Sequence, residues 1–491
     1  MDLNKATYAE LNQQLQAKKI SAAEVAKFFL EKTNRLNGKL NAFISVNENV
    51  VREAEVVDQK IAKGETIGAL AGVPFAIKDL LCTKGIKTTA ASKILSNFIP
   101  PYDATVVRRL KESGAVVLGK TNLDEFAMGS SNETSAFGPV KNPWNIEYVP
   151  GGSSGGSASA QAARMVMGSI GTDTGGSIRQ PSNFCGIVGV KPTYGRVSRY
   201  GIVAYASSLD QAGPMVSSVS DAATVLDAIC GKDTLDMTTA HLPKTEFNKN
   251  LNPNIKGIKV GLIKEYFSTS GIQPEVMAAV EKAKDNLKNL GAEFVEISIP
   301  LTEYAVPIYY LIAASECSSN LSRYDGVKYG YRANFKSLSD LSLDEFYSQT
   351  RGQGFGTEVK RRIMLGTYCL SSGYYDAYYR KACQVRRLLR EQFNEAFKVC
   401  DVILSPVTTS PAFKIGSRIY DPLTMYLNDI FTVSTNLSGL PGMSLPFSFS
   451  KEGLPLGIQL TGAHFKEQQM LNVALALEET TEQKGRFAHV S

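Results

Sequence analysis

The sequence predicts an α/β fold, and three stretches carry that reading. Residues 105–110 have helical character, Gly114 ends the helix, and Ala115-Val116-Val117-Leu118 follows as a short apolar run with strand character. Residues 258–263 and 292–298 read as strands on either side of a helix near 275–289. Gly72-Val73-Pro74-Phe75-Ala76-Ile77 is a third apolar strand, and it delivers Lys78 at its end. Buried strands alternating with helices are the pattern of an α/β sheet.

The remaining elements follow in chain order. Within residues 1–65, Ser21 and Glu24 form a capping box ahead of Val25, Phe28 and Phe29, which predicts a helical arm packed on the body. Residues 66–491 then form the main domain. Residues 151–213 hold 13 of the chain's 41 glycines, a density that signals close backbone approach or positive φ angles. Residues 300–400 are polar and Tyr-rich with helical periodicity, which predicts a cap-like region over the sheet. Strand character returns at 402–404, 443–445 and 456–460, and a last helix is predicted over about 466–482. No internal repeat or low-complexity tract is present.

Composition narrows the classes. Charged residues are 20% and hydrophobic ones 43%, ordinary for a globular protein. A net charge of +6 over 491 residues is weak for a chain that grips nucleic acid unaided. The nearest candidate for a basic stripe, Arg386-Arg387-Leu388-Leu389-Arg390, reads as a solvated helix face. The seven cysteines (Cys82, Cys185, Cys230, Cys317, Cys369, Cys383 and Cys400) are scattered without CxxC spacing. They suggest neither a zinc site nor a disulfide framework, and a reducing cytoplasm fits them. No signal-peptide pattern opens the chain, and no apolar run is long enough to span a bilayer.

The glycine-rich segment holds the chemistry. Gly151-Gly152-Ser153-Ser154-Gly155-Gly156-Ser157 lacks the Lys-Ser/Thr that a phosphate-binding P-loop places after its last glycine. Gly152-x-Ser154-x-Gly156 matches a nucleophile elbow, but that arrangement needs a later acid and a histidine. The chain has only His241, His464 and His489, and of these His464 alone could serve. A flexible turn is the plainest alternative. The next motif, Gly171-Thr172-Asp173-Thr174-Gly175-Gly176-Ser177-Ile178-Arg179, puts a serine directly after two glycines, where backbone N–H groups can converge on a developing oxyanion. A serine nucleophile needs a base, and with histidine so scarce a lysine is the natural substitute. Lysine has a reference pKa of about 10.4, so making it neutral at pH 7 costs roughly 4–5 kcal/mol unless burial moves it, by up to about 3–5 units. Lys78, closing an apolar strand, is suited to such burial.

Together, Gly72-Val73-Pro74-x-x-x-Lys78-Asp79, the GGSSGG segment and Gly171-x-Asp173-x-Gly175-Gly176-Ser177-Ile178-Arg179-x-Pro181 resemble the amidase-signature family. The resemblance implies a mixed central β-sheet covered by helices on both faces. It also implies Ser177 as nucleophile, Ser153 at a cis peptide bond bridging it to Lys78, and an oxyanion hole from the backbone of Thr174, Gly175, Gly176 and Ser177.

Further segments, among them residues 191–201, 207–211, 316–326, 358–363 and 371–379, are similar to the A subunits of glutamyl-tRNA(Gln) amidotransferases. That similarity implies a glutaminase that passes ammonia to a B subunit, which amidates Glu-tRNA(Gln) with ATP and Mg2+, in a heterotrimer braced by a C subunit. Amidation of Asp-tRNA(Asn) stays open, as does a bacterial or organellar origin. No metal or cofactor is implied in this chain. A glutamine pocket needs one cation and one anion, and the resemblance places them at Arg362 and Asp429, with Tyr309 as a further donor. Arg361 and Tyr310 adjoin two of these positions and leave the register open. Cys317 reads as packing. Two alternatives remain: a stand-alone amidase for small neutral amides, and a non-catalytic scaffold, against which the intact triad argues.

Overall fold

The structure, a computed structural model, describes residues 1–335, 341–418 and 428–490. Its strands are β1 (Phe43–Val46), β2 (Pro74–Lys78), β3 (Val116–Thr121), β4 (Gly168–Asp173), β5 (Val188–Lys191), β6 (Gln211–Val216), β7 (Lys259–Ile263), β8 (Glu293–Ile297), β9 (Val402–Pro406), β10 (Gly442–Phe449) and β11 (Pro455–Gly462). They form one sheet in the order β1-β3-β2-β4-β6-β5-β10-β11-β9-β7-β8. The sheet is mixed. β2 runs parallel to β3 and β4, and β7 parallel to β8 and β9, whereas β4–β6, β5–β6, β5–β10, β10–β11, β9–β11 and β1–β3 are antiparallel. Every residue of β2, β3, β4, β5 and β6 is buried, as expected for strands covered by other layers.

The N-terminal segment is helical over Tyr8–Gln16, Ala22–Leu40 and Val50–Ala62. Ser21 and Glu24 form the capping box at the start of the second helix, which buries Val25, Ala26, Phe29, Thr33, Leu36 and Leu40 on one face. This segment also supplies β1, which pairs with β3 and extends the sheet. A four-residue strand gives too short an alternation to stand out in sequence.

Between residues 300 and 400 lie the helices Ala305–Asn320, Leu343–Gly354, Thr357–Leu370 and Lys381–Ala396. The first and third pack tightly because Gly366 has no side chain: a Cβ there would run into the carbonyl of Ala314. The last helix covers Glu467–Glu478 and is shorter than the sequence suggests. Beyond it the Thr480 hydroxyl donates to the Leu477 carbonyl at 2.8 Å, the local competition that ends helices at threonine.

The strand order sets the site. β2 and β4 are parallel neighbours, with Ile77 opposite Ile170. Their C-terminal ends therefore lie side by side, and Lys78 closes one while Asp173 closes the other.

Candidate active site

Lys78 is fully buried. Its Nζ lies 2.7 Å from Ser153 Oγ, 2.8 Å from Ser154 Oγ and 3.0 Å from Thr172 Oγ1. Ser154 gives its own proton to the Thr172 carbonyl at 3.1 Å, so its oxygen is left to accept from Nζ. A neutral amine can then donate to Ser154 and Thr172 and turn its lone pair on Ser153. Burial draws Lys78 down to about 7, against the opposing charges of Asp124, Asp173 and Asp210. Desolvation thus supplies the neutral amine that lysine base chemistry requires.

The Gly152–Ser153 peptide is cis. Three contacts hold it. The Gly152 N–H donates to Gln180 Oε1 at 2.9 Å, the Asp124 N–H donates to the Ser153 carbonyl at 3.2 Å, and the Ser154 N–H donates to the Ser177 carbonyl at 3.2 Å. The last of these ties the two serine motifs together directly.

The turn after β4 is built around a buried ion pair. Asp173 accepts from the Arg179 guanidinium (Nε and Nη2, both 3.1 Å), from the Ile178 N–H at 3.1 Å and from Asn436 Nδ2 at 2.8 Å. Burial works to raise this carboxyl, but Arg179 prevails and holds it at about 2. Arg179 is itself satisfied by Gln459, the Thr432 carbonyl and Asn436. Within this frame, no hydrogen bond among the described residues uses the N–H groups of Thr174, Gly175, Gly176 or Ser177. Four unspent donors in one turn suit an oxyanion. Both glycines are required: Gly176 has φ +148, and a Cβ on Gly175 would sit 2.6 Å from Tyr309 Cζ. Thr174 is fixed by its hydroxyl, which donates to Asp210 Oδ1 at 2.7 Å. Ser177 itself is 8% exposed.

All three expected glutamine residues are buried. Tyr309 is buried against Gly175. Arg362 is 4% exposed and lies between the rings of Tyr205 and Tyr310, its Cζ 5.5 and 5.2 Å from their centroids. Its Nε donates to Glu358 at 2.8 Å and its Nη1 to the Tyr205 hydroxyl at 2.6 Å. The adjacent Arg361 has a half-exposed side chain, paired with Glu358. Arg362 is thus buried where Arg361 is exposed, and Tyr309 is buried where Tyr310 is part-exposed. Asp429 is buried and accepts from the Ser130 hydroxyl at 2.6 Å. Burial pushes it up to about 7, with Ser130 and then Arg362 pulling the other way. Cys317 is buried, its Sγ 3.8 Å from Met128 Sδ, and burial lifts its thiol to about 12, which leaves it inert packing. His464 Nε2 donates to the Ser438 carbonyl at 2.9 Å, not to any serine of the two motifs.

Sequence reasoning did not find Asp124, Ser130, Tyr205 or Asp210, whose partners here lie up to 299 positions away. Among the described residues, no group of three His, Cys, Asp or Glu side chains is placed to hold a metal ion.

A mixed sheet with paired glycine-serine turns over a buried lysine stands beside the family comparison: the amidase model matches residues 24–471, and the chain belongs to the amidase-signature family. It is an amidase-family enzyme. Its sequence is 67% identical to the A subunit of glutamyl-tRNA(Gln) amidotransferase from Bdellovibrio bacteriovorus, over 490 residues covering 100% of both chains. The structure matches that of the A subunit of glutamyl-tRNA(Gln) amidotransferase from Thermotoga maritima with a TM-score of 0.83 and 42% identity, covering 100% of this chain and 99% of that one. It also matches the peptide amidase of Stenotrophomonas maltophilia, with a TM-score of 0.84 but 31% identity over 99% of each chain.

Proposed function

We propose that this chain is the glutaminase subunit of a tRNA-dependent amidotransferase. The observation that carries the reading is the burial of a guanidinium, Arg362, and a carboxyl group, Asp429, in one neighbourhood with Tyr309, which lies against Gly175. A neutral amide has no use for either charge, whereas glutamine presents a carboxylate and an ammonium to match them. The high identity to proteins named as A subunits of glutamyl-tRNA(Gln) amidotransferase supports the same substrate.

In this mechanism neutral Lys78 takes a proton from Ser153 as Ser153 takes one from Ser177. Ser177 Oγ attacks the side-chain amide carbon, and the N–H groups of residues 174–177 receive the oxyanion. The relay returns the proton to the departing nitrogen, ammonia leaves, and water then hydrolyses the acyl-enzyme. The ammonia serves a B subunit that activates Glu-tRNA(Gln) with ATP and Mg2+, in a cytoplasmic heterotrimer completed by a C subunit. This chain contributes the glutaminase chemistry and no cofactor of its own.

The test is ammonia release from glutamine and from simple neutral amides by wild type and Ser177→Ala, with candidate B and C partners present. Release from glutamine that is lost in the variant supports the reading. Preferential release from neutral amides would make the chain a stand-alone amidase and overturn it.

A further inference from the structure

Tyr205 joins the two halves of the site. It is 1% exposed and sits in the loop between β5 and β6. Its main chain is anchored at both ends: the N–H donates to Asp210 Oδ2 at 2.9 Å, and the carbonyl accepts from Asn320 Nδ2 at 3.1 Å. Asp210 also accepts from the Ala206 N–H at 3.1 Å and from the Thr174 hydroxyl at 2.7 Å. One buried carboxylate therefore fixes both the Tyr205 backbone and the first residue of the oxyanion turn.

The side chain reaches the other way. Its hydroxyl accepts from Arg362 Nη1 at 2.6 Å, a short charge-assisted bond, and its ring lies under the same guanidinium. Burial lifts the phenol to about 12, while the nearby Arg362 and the Tyr309 hydroxyl act to lower it. It stays a neutral hydroxyl across any working pH. Glu358 holds the guanidinium at Nε, so Tyr205 supplies a second, independent hold at Nη1. Two holds fix the plane of a guanidinium, and its plane decides whether it can grip a carboxylate with two parallel bonds.

We propose that Tyr205 is a positioning residue that determines specificity for glutamine. It orients Arg362 towards the substrate carboxylate and keeps that cation at a fixed distance from the oxyanion turn through Asp210. The inference rests on the glutaminase reading above. Substrates that carry the α-carboxylate depend on this hold, and the bond-breaking apparatus of Lys78, Ser153 and Ser177 does not.

The experiment is Tyr205→Phe in the assembled complex, which removes one oxygen and keeps the ring. KM for glutamine is independent of how much of the sample is active. It should rise roughly three- to tenfold, the loss of one hydrogen bond to a charge, with kcat within about twofold. In an Arg362→Met background, which has no donor left for the Tyr205 hydroxyl, the same change should add nothing further. An unchanged KM in Tyr205→Phe overturns the proposal, as does a fall in kcat alone or an additive effect in the double variant. Wild-type complex that hydrolyses neutral amides and ignores glutamine would instead fail the glutaminase reading itself, and this inference with it.

Discussion

Lys78 and Lys120 lie on neighbouring parallel strands, β2 and β3, and both are fully buried. Their surroundings differ in one respect. Lys120 makes an ion pair with Asp79 at 3.2 Å and donates to the Thr88 hydroxyl at 2.7 Å and the Leu81 carbonyl at 2.9 Å. Lys78 meets hydroxyls and a carbonyl, with every carboxylate held further off. Burial draws both lysines down, but at Lys120 the contacting Asp79 carboxylate pulls the other way, whereas at Lys78 the acids that oppose the shift are not in contact with the amine. Burial without a contacting anion is not enough by itself: Lys191 is buried, donates to the Pro192 and Leu440 carbonyls and is also drawn down to about 7, so what sets Lys78 apart is that its amine meets the Ser153 hydroxyl.

The largest effect should separate the two lysines. Lys78→Ala should cut kcat for ammonia release by about a thousandfold or more, with the fold retained. Lys120→Met should leave kcat per folded molecule within a few-fold and lower stability by about 3–5 kcal/mol in urea unfolding, since Asp79 is then a buried charge without its partner. If Lys120→Met proved the more damaging to kcat, the assignment of roles would be reversed.

A smaller effect is expected at the pocket. Asp429→Asn should raise KM for glutamine about 10- to 100-fold at about pH 8, the range for losing a charged hydrogen bond, with kcat little changed. In wild type, KM should fall as the pH rises through about 7, because the group that Asp429 presents to an ammonium is its carboxylate, and burial keeps it protonated below that point. An unchanged KM in the variant would remove Asp429 from the pocket. The smallest effect belongs to Ser154→Ala. This takes one acceptor from Lys78 Nζ and leaves Ser153 in place, so kcat should drop about five- to tenfold. A thousandfold loss there would point to Ser154, not Ser153, as the bridge.

The sequence makes some of this legible and hides the rest for a physical reason. Lys78 and Ser177 can be proposed from compact local patterns, an apolar strand end and a serine after two glycines, whereas the choice of Ser153 within GGSSGG comes from resemblance. Arg362, Asp429 and Tyr309 carry no such local pattern and are reached through resemblance alone. Asp124, Asp210 and Tyr205 are not reached. Nothing next to Asp124 in the chain announces that its N–H will hold the Ser153 carbonyl, or that its charge will oppose the desolvation of Lys78. Asp210 and Thr174 are 36 positions apart and meet only because β4 pairs antiparallel with β6. The mixed character of the sheet is likewise implied by resemblance, because alternation of apolar residues does not encode strand order. β1 escapes notice as four residues between two helices.

The central claim is that an uncharged Lys78 drives the attack of Ser177. The most direct measurement is kcat for ammonia release between about pH 5.5 and 8.5 at saturating glutamine, so that binding at Asp429 drops out and only groups in the enzyme–substrate complex are seen. Lys78 is active as the amine, and its folded value is about 7. The rate should therefore climb close to tenfold per pH unit on the acid side and level off above about 7. A kcat that stays flat across that whole range would contradict the account.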